Sequence, residues 1–108
     1  MNQWRVRTFL MGLSSLLMVS CSSKDPDLEQ GAVIYAQACK VCHAQGINGA
    51  PVLGNQANWR ERKQQGLDVL VEHAVNGYGL MPAKGGRTEL ADEDIRAVVK
   101  YMLSALEK

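Results

Sequence analysis

The stretch Cys39-Lys40-Val41-Cys42-His43 constrains this chain most, because it has the C-x-x-C-H pattern of covalent haem attachment. Two thiols at this spacing can each add to one vinyl group of the same porphyrin, and the adjacent imidazole can reach the iron. A thioredoxin-like redox pair and half of a zinc site also contain C-x-x-C. No strand pattern surrounds the pair, and no second Cys/His pair follows at ligand spacing. We therefore predict one covalent haem c, bound through Cys39 and Cys42, with His43 on its iron.

The start of the chain has the pattern of an export signal. Arg5 and Arg7 precede an apolar run at residues 9–19. This run is shorter than the ~20 residues that a membrane-spanning helix needs, and it has the length of a signal-peptide core. We predict that residues 1–20 are a signal peptide.

The end of this signal and the cysteine after it, Met18-Val19-Ser20-Cys21, resemble the lipobox of bacterial lipoproteins, with Met18 in place of the more usual Leu. This resemblance implies that Cys21 is lipidated and that residues 21–27 form a tether. An ordinary signal with a stray thiol is the alternative, but it leaves an unpaired exported cysteine without a role.

Location and charge follow from this prediction. A lipoprotein of this kind is periplasmic and anchored to a membrane, and Ser22 after the lipidated cysteine favours the outer over the inner membrane. The 12 Lys and Arg against 11 Asp and Glu give a net charge of +1, and loss of Arg5 and Arg7 with the signal leaves 10 against 11, or −1. No basic stripe indicates nucleic acid. A low net charge gives little long-range steering, so docking depends on a local patch.

Apolar periodicity predicts an all-α domain over residues 28–108. The first helix is expected to start at Leu28, with Asp27 as its N-cap, and to continue into the haem motif. Glycine and proline mark loops at 44–54 and 78–86. The later predicted helices lie at 55–65, 67–76 and 90–106.

Met81 is the predicted second axial ligand of the iron. It stands in a Gly- and Pro-rich loop where no apolar stripe requires it, and Pro82 restricts the backbone beside it. A thioether ligand stabilises Fe(II) and raises the reduction potential. Met102 fits the buried stripe of the last helix, and His73 lies on the polar face of its own helix. His73 and an open or exchangeable position remain as alternatives, and the lysines are further candidates.

Further motifs follow the haem site in a fixed order. They are Gly49-Ala50-Pro51, Trp59, Gly66-Leu67, Met81-Pro82-x-Lys84-Gly85-Gly86 and Leu90-x-Asp92, preceded by Gly31-x₃-Tyr35-x₃-Cys39. With this pattern the chain resembles class I cytochrome c, specifically the cytochrome c5 group, from about Gly31 to the C-terminus. The resemblance implies a small cytochrome c fold of three to five helices wrapped around one haem. Its first and last helices would cross, with Gly31 and Tyr35 facing Val98, Tyr101 and Met102.

The resemblance also implies residues around the haem. The carbonyl of Pro51 would accept a hydrogen bond from Nδ1–H of His43, and Trp59 and Arg60 would lie near a haem propionate. From charge alone, the basic cluster at 60–63 is a solvated face.

Two positions depart from the c5 pattern. The additional Cys pair that members of this group often carry near their last two elements is missing. Ala91 stands where a Ser N-cap is common, which costs about 0.5–2 kcal/mol unless Thr88 or Asp92 substitutes.

These features predict a periplasmic one-electron carrier, tethered to a membrane, in a respiratory chain. Its haem would cycle between Fe(III) and Fe(II), with membrane-bound redox proteins as donor and acceptor. Because both axial positions are filled and no acid/base pair stands out, we expect no catalytic residue and no small-molecule substrate. The alternatives are a fixed haem subunit of a membrane oxidoreductase complex and a haem sensor or peroxidase with a labile Met81.

Overall fold

The computed structural model describes residues 24–108, so the predicted signal peptide and Cys21 lie outside the described residues. The α-helices are α1 (Pro26–Ile34), α2 (Lys40–His43), α3 (Gln56–Trp59), α4 (Leu67–Asn76) and α5 (Asp92–Ser104). Between residues 24 and 108 there is no strand, and Tyr78 and Met81 form an isolated bridge. The all-α prediction is confirmed.

The first helical run carries the haem motif at its end. A π-helical turn, Tyr35–Cys39, joins α1 to α2 without a break, and such turns are frequent at functional sites. Asp25 is the N-cap, because its carboxylate accepts from the N–H of Asp27 at 3.0 Å, and Pro26 occupies the first helical position. The prediction of Asp27 as N-cap is wrong, since its carboxylate instead pairs with Lys100 of α5.

The first and last helices cross in backbone contact. A Cβ atom at Gly31 would lie 2.2 Å from the carbonyl oxygen of Ala97 and 2.7 Å from Cβ of Tyr101. One turn later, at the start of the π-helical turn, the ring of Tyr35 packs on that of Tyr101, with centroids 5.6 Å apart. The predicted crossing is confirmed, and its tightest point is at Ala97 and Tyr101.

Two apolar clusters share α5. The first consists of Ile34, Tyr35, Trp59, Val98, Met102 and Leu106, and the second of Val71, Ala74, Ile95 and Val99. Half-buried Leu90 and Leu103 contact both clusters, Cys39 packs against the first, and Met81 packs against the second. Because one helix contributes to both clusters, α5 fixes the segment that carries Cys39 relative to the segment that carries Met81.

Three helices differ in their bounds from the sequence prediction. Helix α1 starts at Pro26 rather than Leu28, and α5 spans Asp92–Ser104 rather than 90–106. The predicted helix at 55–65 is shorter, since α3 ends at Trp59 and a 3₁₀ turn, Arg62–Gln65, follows. At the start of α5, the N–H of Ala91 donates to Oδ2 of Asp94 at 3.0 Å. Asp94, rather than Thr88 or Asp92, therefore compensates in part for the missing side-chain cap.

Candidate functional site

His43 is buried at the end of α2, and a single carbonyl fixes its ring. Nδ1 lies 2.8 Å from the carbonyl oxygen of Pro51, as the sequence resemblance implied. A carbonyl oxygen can only accept, so the neutral ring carries its proton on Nδ1 and keeps a lone pair on Nε2. This is the tautomer that a histidine needs in order to bind a metal through Nε2.

The loop after the haem motif is held from both sides. The N–H of Leu53 donates to the carbonyl of His43 at 2.9 Å. On the other side, the N–H of Val52 donates to Oδ1 of Asn58 at 3.0 Å, and Nε1–H of Trp59 donates to the carbonyl of Val52 at 2.8 Å. Helix α3 therefore positions the loop that orients His43. Asn58 was not identified from the sequence, because an amide within a predicted helix gives no sign of a bond to a distant loop.

Trp59 and Arg60 differ in what the structure shows. Trp59 is buried in the first apolar cluster, and its one N–H already donates within the chain. The ring has no second N–H to donate to a haem propionate. Arg60 is exposed at the end of α3. The roles of both residues at the haem stay predictions.

Cys39 and Cys42 are free, half-buried thiols in the helical run before His43. Burial raises the pKa of the Cys39 thiol, and the positive charge of Arg87 opposes part of that rise. Arg87 belongs to the segment before α5, so the chain brings a cation close to the haem motif. No sequence pattern indicates this proximity, because the two residues are far apart along the chain.

Met81 lies in a narrow turn. Its N–H donates to the carbonyl of Tyr78 at 2.9 Å, and the N–H of Tyr78 donates back to the carbonyl of Met81 at 3.0 Å. The Met81 side chain is half-buried against the second cluster. The ring of Tyr78 stacks on His73, with centroids 4.1 Å apart, so His73 lies beside this turn.

These residues fit a covalently attached porphyrin. The chain offers two free thiols, an imidazole with an unprotonated Nε2, and a thioether in a loop that packs on an apolar cluster. Val41, within the haem motif, is 66% exposed and Leu80, next to Met81, is 75% exposed, so both segments present apolar surface. A small helical domain with this set of side chains defines a haem c protein.

Comparison with known proteins supports this class. Residues 26–102 match the family described as cytochrome c oxidase, cbb3-type, subunit III. Cytochrome c-555 of Chlorobaculum tepidum is 37% identical over 95 residues, which cover 84% of this chain and 88% of that protein. Cytochrome c5 of Ectopseudomonas mendocina is 38% identical over 71 residues, which cover 64% of this chain and 82% of that protein.

A solved structure agrees with these relatives. It is described as the crystal structure of an electron transfer complex of nitrite reductase with cytochrome c, and one of its chains is 38% identical with a TM-score of 0.70. The match covers 78% of this chain and 99% of that one. The chain belongs to the cytochrome c family, as a class I protein similar to cytochrome c5. It carries one covalently attached haem c and is an electron carrier, not an enzyme.

Proposed function

We propose that Cys39 and Cys42 attach the haem and that His43 and Met81 are its axial ligands. The observation that carries this proposal is the bond from Nδ1–H of His43 to Pro51, which leaves Nε2 free for a metal beside the cysteine pair. Bound haem supplies a one-electron Fe(III)/Fe(II) couple. Ligation on both sides makes the protein a carrier of electrons.

Each residue has a separate task in this proposal. The carbonyl of Pro51 holds the His43 ring in one orientation and raises its basicity, which strengthens the ligand. The thioether of Met81 is soft and uncharged, so it favours Fe(II) and raises the potential. The apolar clusters that contact Cys39 and Met81 limit the access of water to both segments.

Spectroscopy of the haem-loaded protein tests the ligand set. We expect the ferric form to show the Met–Fe charge-transfer band in the far red and the ferrous form to resist carbon monoxide. Rapid binding of carbon monoxide by the wild-type protein would mean that the second axial position is open or readily exchanged.

The second part of the proposal concerns location. The signal peptide, residues 1–20, would be removed, and Cys21 would carry lipid, with the haem domain from residue 28 in the periplasm. Several acyl chains give a stable anchor. Helix α1 is capped at Asp25, four residues after Cys21, so the part of the predicted tether that precedes the helix spans at most about 14 Å. So short a tether would keep the domain at the membrane surface and raise its effective concentration near membrane-bound partners.

Fractionation of cells tests the anchor. In the native host, we expect wild-type protein in the membrane fraction and a Cys21→Ser variant in the soluble periplasmic fraction, both with haem. A variant that stays in the membrane fraction would contradict lipidation at Cys21. Ser22→Asp tests which membrane carries the anchored protein, since we expect this change to move it from the outer to the inner membrane.

We further propose a respiratory role, with membrane-bound proteins as electron donor and acceptor. The similar chain in the complex with nitrite reductase supports exchange with a separate partner. The matching family is described as an oxidase subunit, which favours a fixed subunit as the second candidate. Extraction in mild detergent followed by size-exclusion chromatography separates the two. A free carrier elutes alone, whereas a stoichiometric complex would support the subunit.

A further inference from the structure

Lys84 lies three residues after Met81, and its side chain reaches the start of α5. It is 18% exposed, and its Nζ donates to the carbonyl oxygen of Leu90 at 2.7 Å and lies 2.9 Å from Oδ1 of Asp92. A lysine ammonium is strongly hydrated, so removing its water is unfavourable unless other acceptors replace it. The segment that leads into α5 supplies two such acceptors.

The backbone at Lys84 is in a conformation that lysine rarely adopts. Its φ is +55°, and Gly85 and Gly86 follow with φ of +61° and +84°. Glycine takes these left-handed angles without penalty, whereas a residue with a Cβ atom is strained there. A strained residue persists only where its surroundings stabilise it. At Lys84, the contacts with Leu90 and Asp92 provide that stabilisation.

These contacts connect the two proposed axial ligands through helices. Lys84 ties the turn that holds Met81 to α5, and α5 touches α1 at Gly31. Helix α1 continues through the π turn to His43. We propose that Lys84 is a positioning residue that keeps Met81 on the haem iron by fastening its loop to α5. The inference depends on the proposed His43/Met81 ligation.

The two bonds of Lys84 are expected to contribute unequally. Asp92 is 66% exposed, and an ion pair with an exposed partner is weakened by water and salt. The carbonyl of Leu90 belongs to a half-buried residue that contacts both apolar clusters, so the bond to it is better shielded. Loss of the whole ammonium should therefore loosen the loop more than loss of the charge on Asp92.

Four variants of the haem-loaded protein test the proposal. Lys84→Met keeps the apolar stem but removes the ammonium, Lys84→Arg restores a donor, and Asp92→Asn removes only the partner charge. The matched control is Arg96→Met, because Arg96 pairs with Asp68 at 2.6 Å and so joins α5 to α4 rather than to the Met81 loop. For each variant we would measure carbon monoxide binding by the ferrous form, the far-red band of the ferric form, and global unfolding in denaturant.

We expect Lys84→Met to bind carbon monoxide about tenfold faster than wild type, in line with the loss of one charge-assisted hydrogen bond. Lys84→Arg should recover most of the wild-type rate, Asp92→Asn should show a smaller rise, and Arg96→Met should show none. A wild-type rate and band in Lys84→Met would overturn the role of Lys84. An equal rise in Arg96→Met would also overturn it, because the effect would then reflect general stability. Absence of the far-red band in wild type would instead overturn ligation by Met81, and the role of Lys84 with it.

Discussion

The crossing of α1 and α5 and the loop that carries Met81 are held together in opposite ways. At the crossing, Gly31 brings backbone within contact of Ala97, and aromatic rings pack beside it. The Met81 loop depends on a few polar bonds, including two within its turn and those made by Lys84. Close apolar packing depends little on salt and pH, whereas a few separate polar bonds can open by local unfolding.

This difference separates two kinds of failure. Damage at the crossing should lower the stability of the whole domain, because α5 contributes to both apolar clusters. Damage in the loop should release the proposed Met81 ligand while the helices stay folded.

Loss of the haem should unfold both the crossing of α1 and α5 and the Met81 loop. The predicted haem domain, residues 28–108, is close to the size, ~70–80 residues, below which an apolar core supplies only a few kcal/mol. We expect a Cys39→Ala/Cys42→Ala variant, which cannot attach haem, to lose most of its helical signal in far-UV circular dichroism. Native helicity in this variant would show that the two apolar clusters fold the chain without the cofactor.

Gly31→Ala should cause the largest loss of stability among single substitutions at the crossing. Alanine favours helix by up to about 1 kcal/mol, but its Cβ would lie 2.2 Å from the carbonyl of Ala97, so the helices must separate. Overpacking of this kind typically costs about 1–3 kcal/mol. Urea unfolding of the haem-loaded protein measures the change, and we expect the far-red band to persist below the transition.

Gly79→Ala is the substitution in the Met81 loop that corresponds to Gly31→Ala at the crossing. No atom lies within 4 Å of the added Cβ, but φ is +56°. The penalty is then that of a left-handed alanine, about 1–2 kcal/mol, and it should appear as easier loss of Met81 from the iron.

If Gly31→Ala instead stabilises the protein, helix propensity outweighs the close contact, and the crossing is less rigid than the structure indicates.

The same contrast explains how much the sequence could predict. Helix α4 matches the predicted 67–76, because Gly66 and Gly77 bound it and a clear apolar stripe fills it. The crossing at Gly31 and the bond from His43 to Pro51 followed from the resemblance to a known family. In these regions, local pattern and tertiary contact agree.

The sequence prediction failed where a polar side chain bonds to a distant segment. The predicted cap Asp27 pairs with Lys100, and α3 ends early where Asn58 and Trp59 bond to the loop around Val52. The role of Lys84 depends in the same way on the carbonyl of Leu90. Such bonds have no periodic signature, so only the folded chain reveals them.

Met81→Ala should separate ligation from stability. We expect a lower reduction potential, loss of the far-red band and rapid binding of carbon monoxide, because the proposed thioether ligand is gone. Since Met81 is half-buried, the free energy of unfolding should fall by about 1–2 kcal/mol, less than the ~2–5 kcal/mol typical of a buried Met→Ala change.

Met102→Ala is the matched control, since Met102 is 5% exposed in the first cluster. It should lose more stability than Met81→Ala but keep the band and its resistance to carbon monoxide. An unchanged potential and band in Met81→Ala would show that another group binds the iron.

Lys100→Met tests one of the polar contacts that join α1 to α5, beside the bond from Gln30 to Asp94, and its effect should be the smallest. Nζ of Lys100 lies 2.6 Å from Asp27 and 3.4 Å from Asp25, so it joins the start of α1 to α5. The hydrogen bond to Asp27, and then the bond and charge of Asp25, raise the pKa of Lys100 above its usual 10.5. A raised pKa in the folded state means that the contribution is fully present below about pH 10.5 and is lost as the pH rises through the folded value.

The difference in the free energy of unfolding between wild type and Lys100→Met should therefore be constant from about pH 7 to 9, and shrink above about pH 10.5 and in 1 M salt. Burial also raises the pKa of Tyr35, so its ionisation destabilises the fold at high pH, but equally in both proteins, and it cancels in the difference. Denaturant titrations of the two haem-loaded proteins at each pH measure this. If the difference does not change with pH or salt, the contribution of Lys100 comes from the packing of its methylene groups and not from its charge.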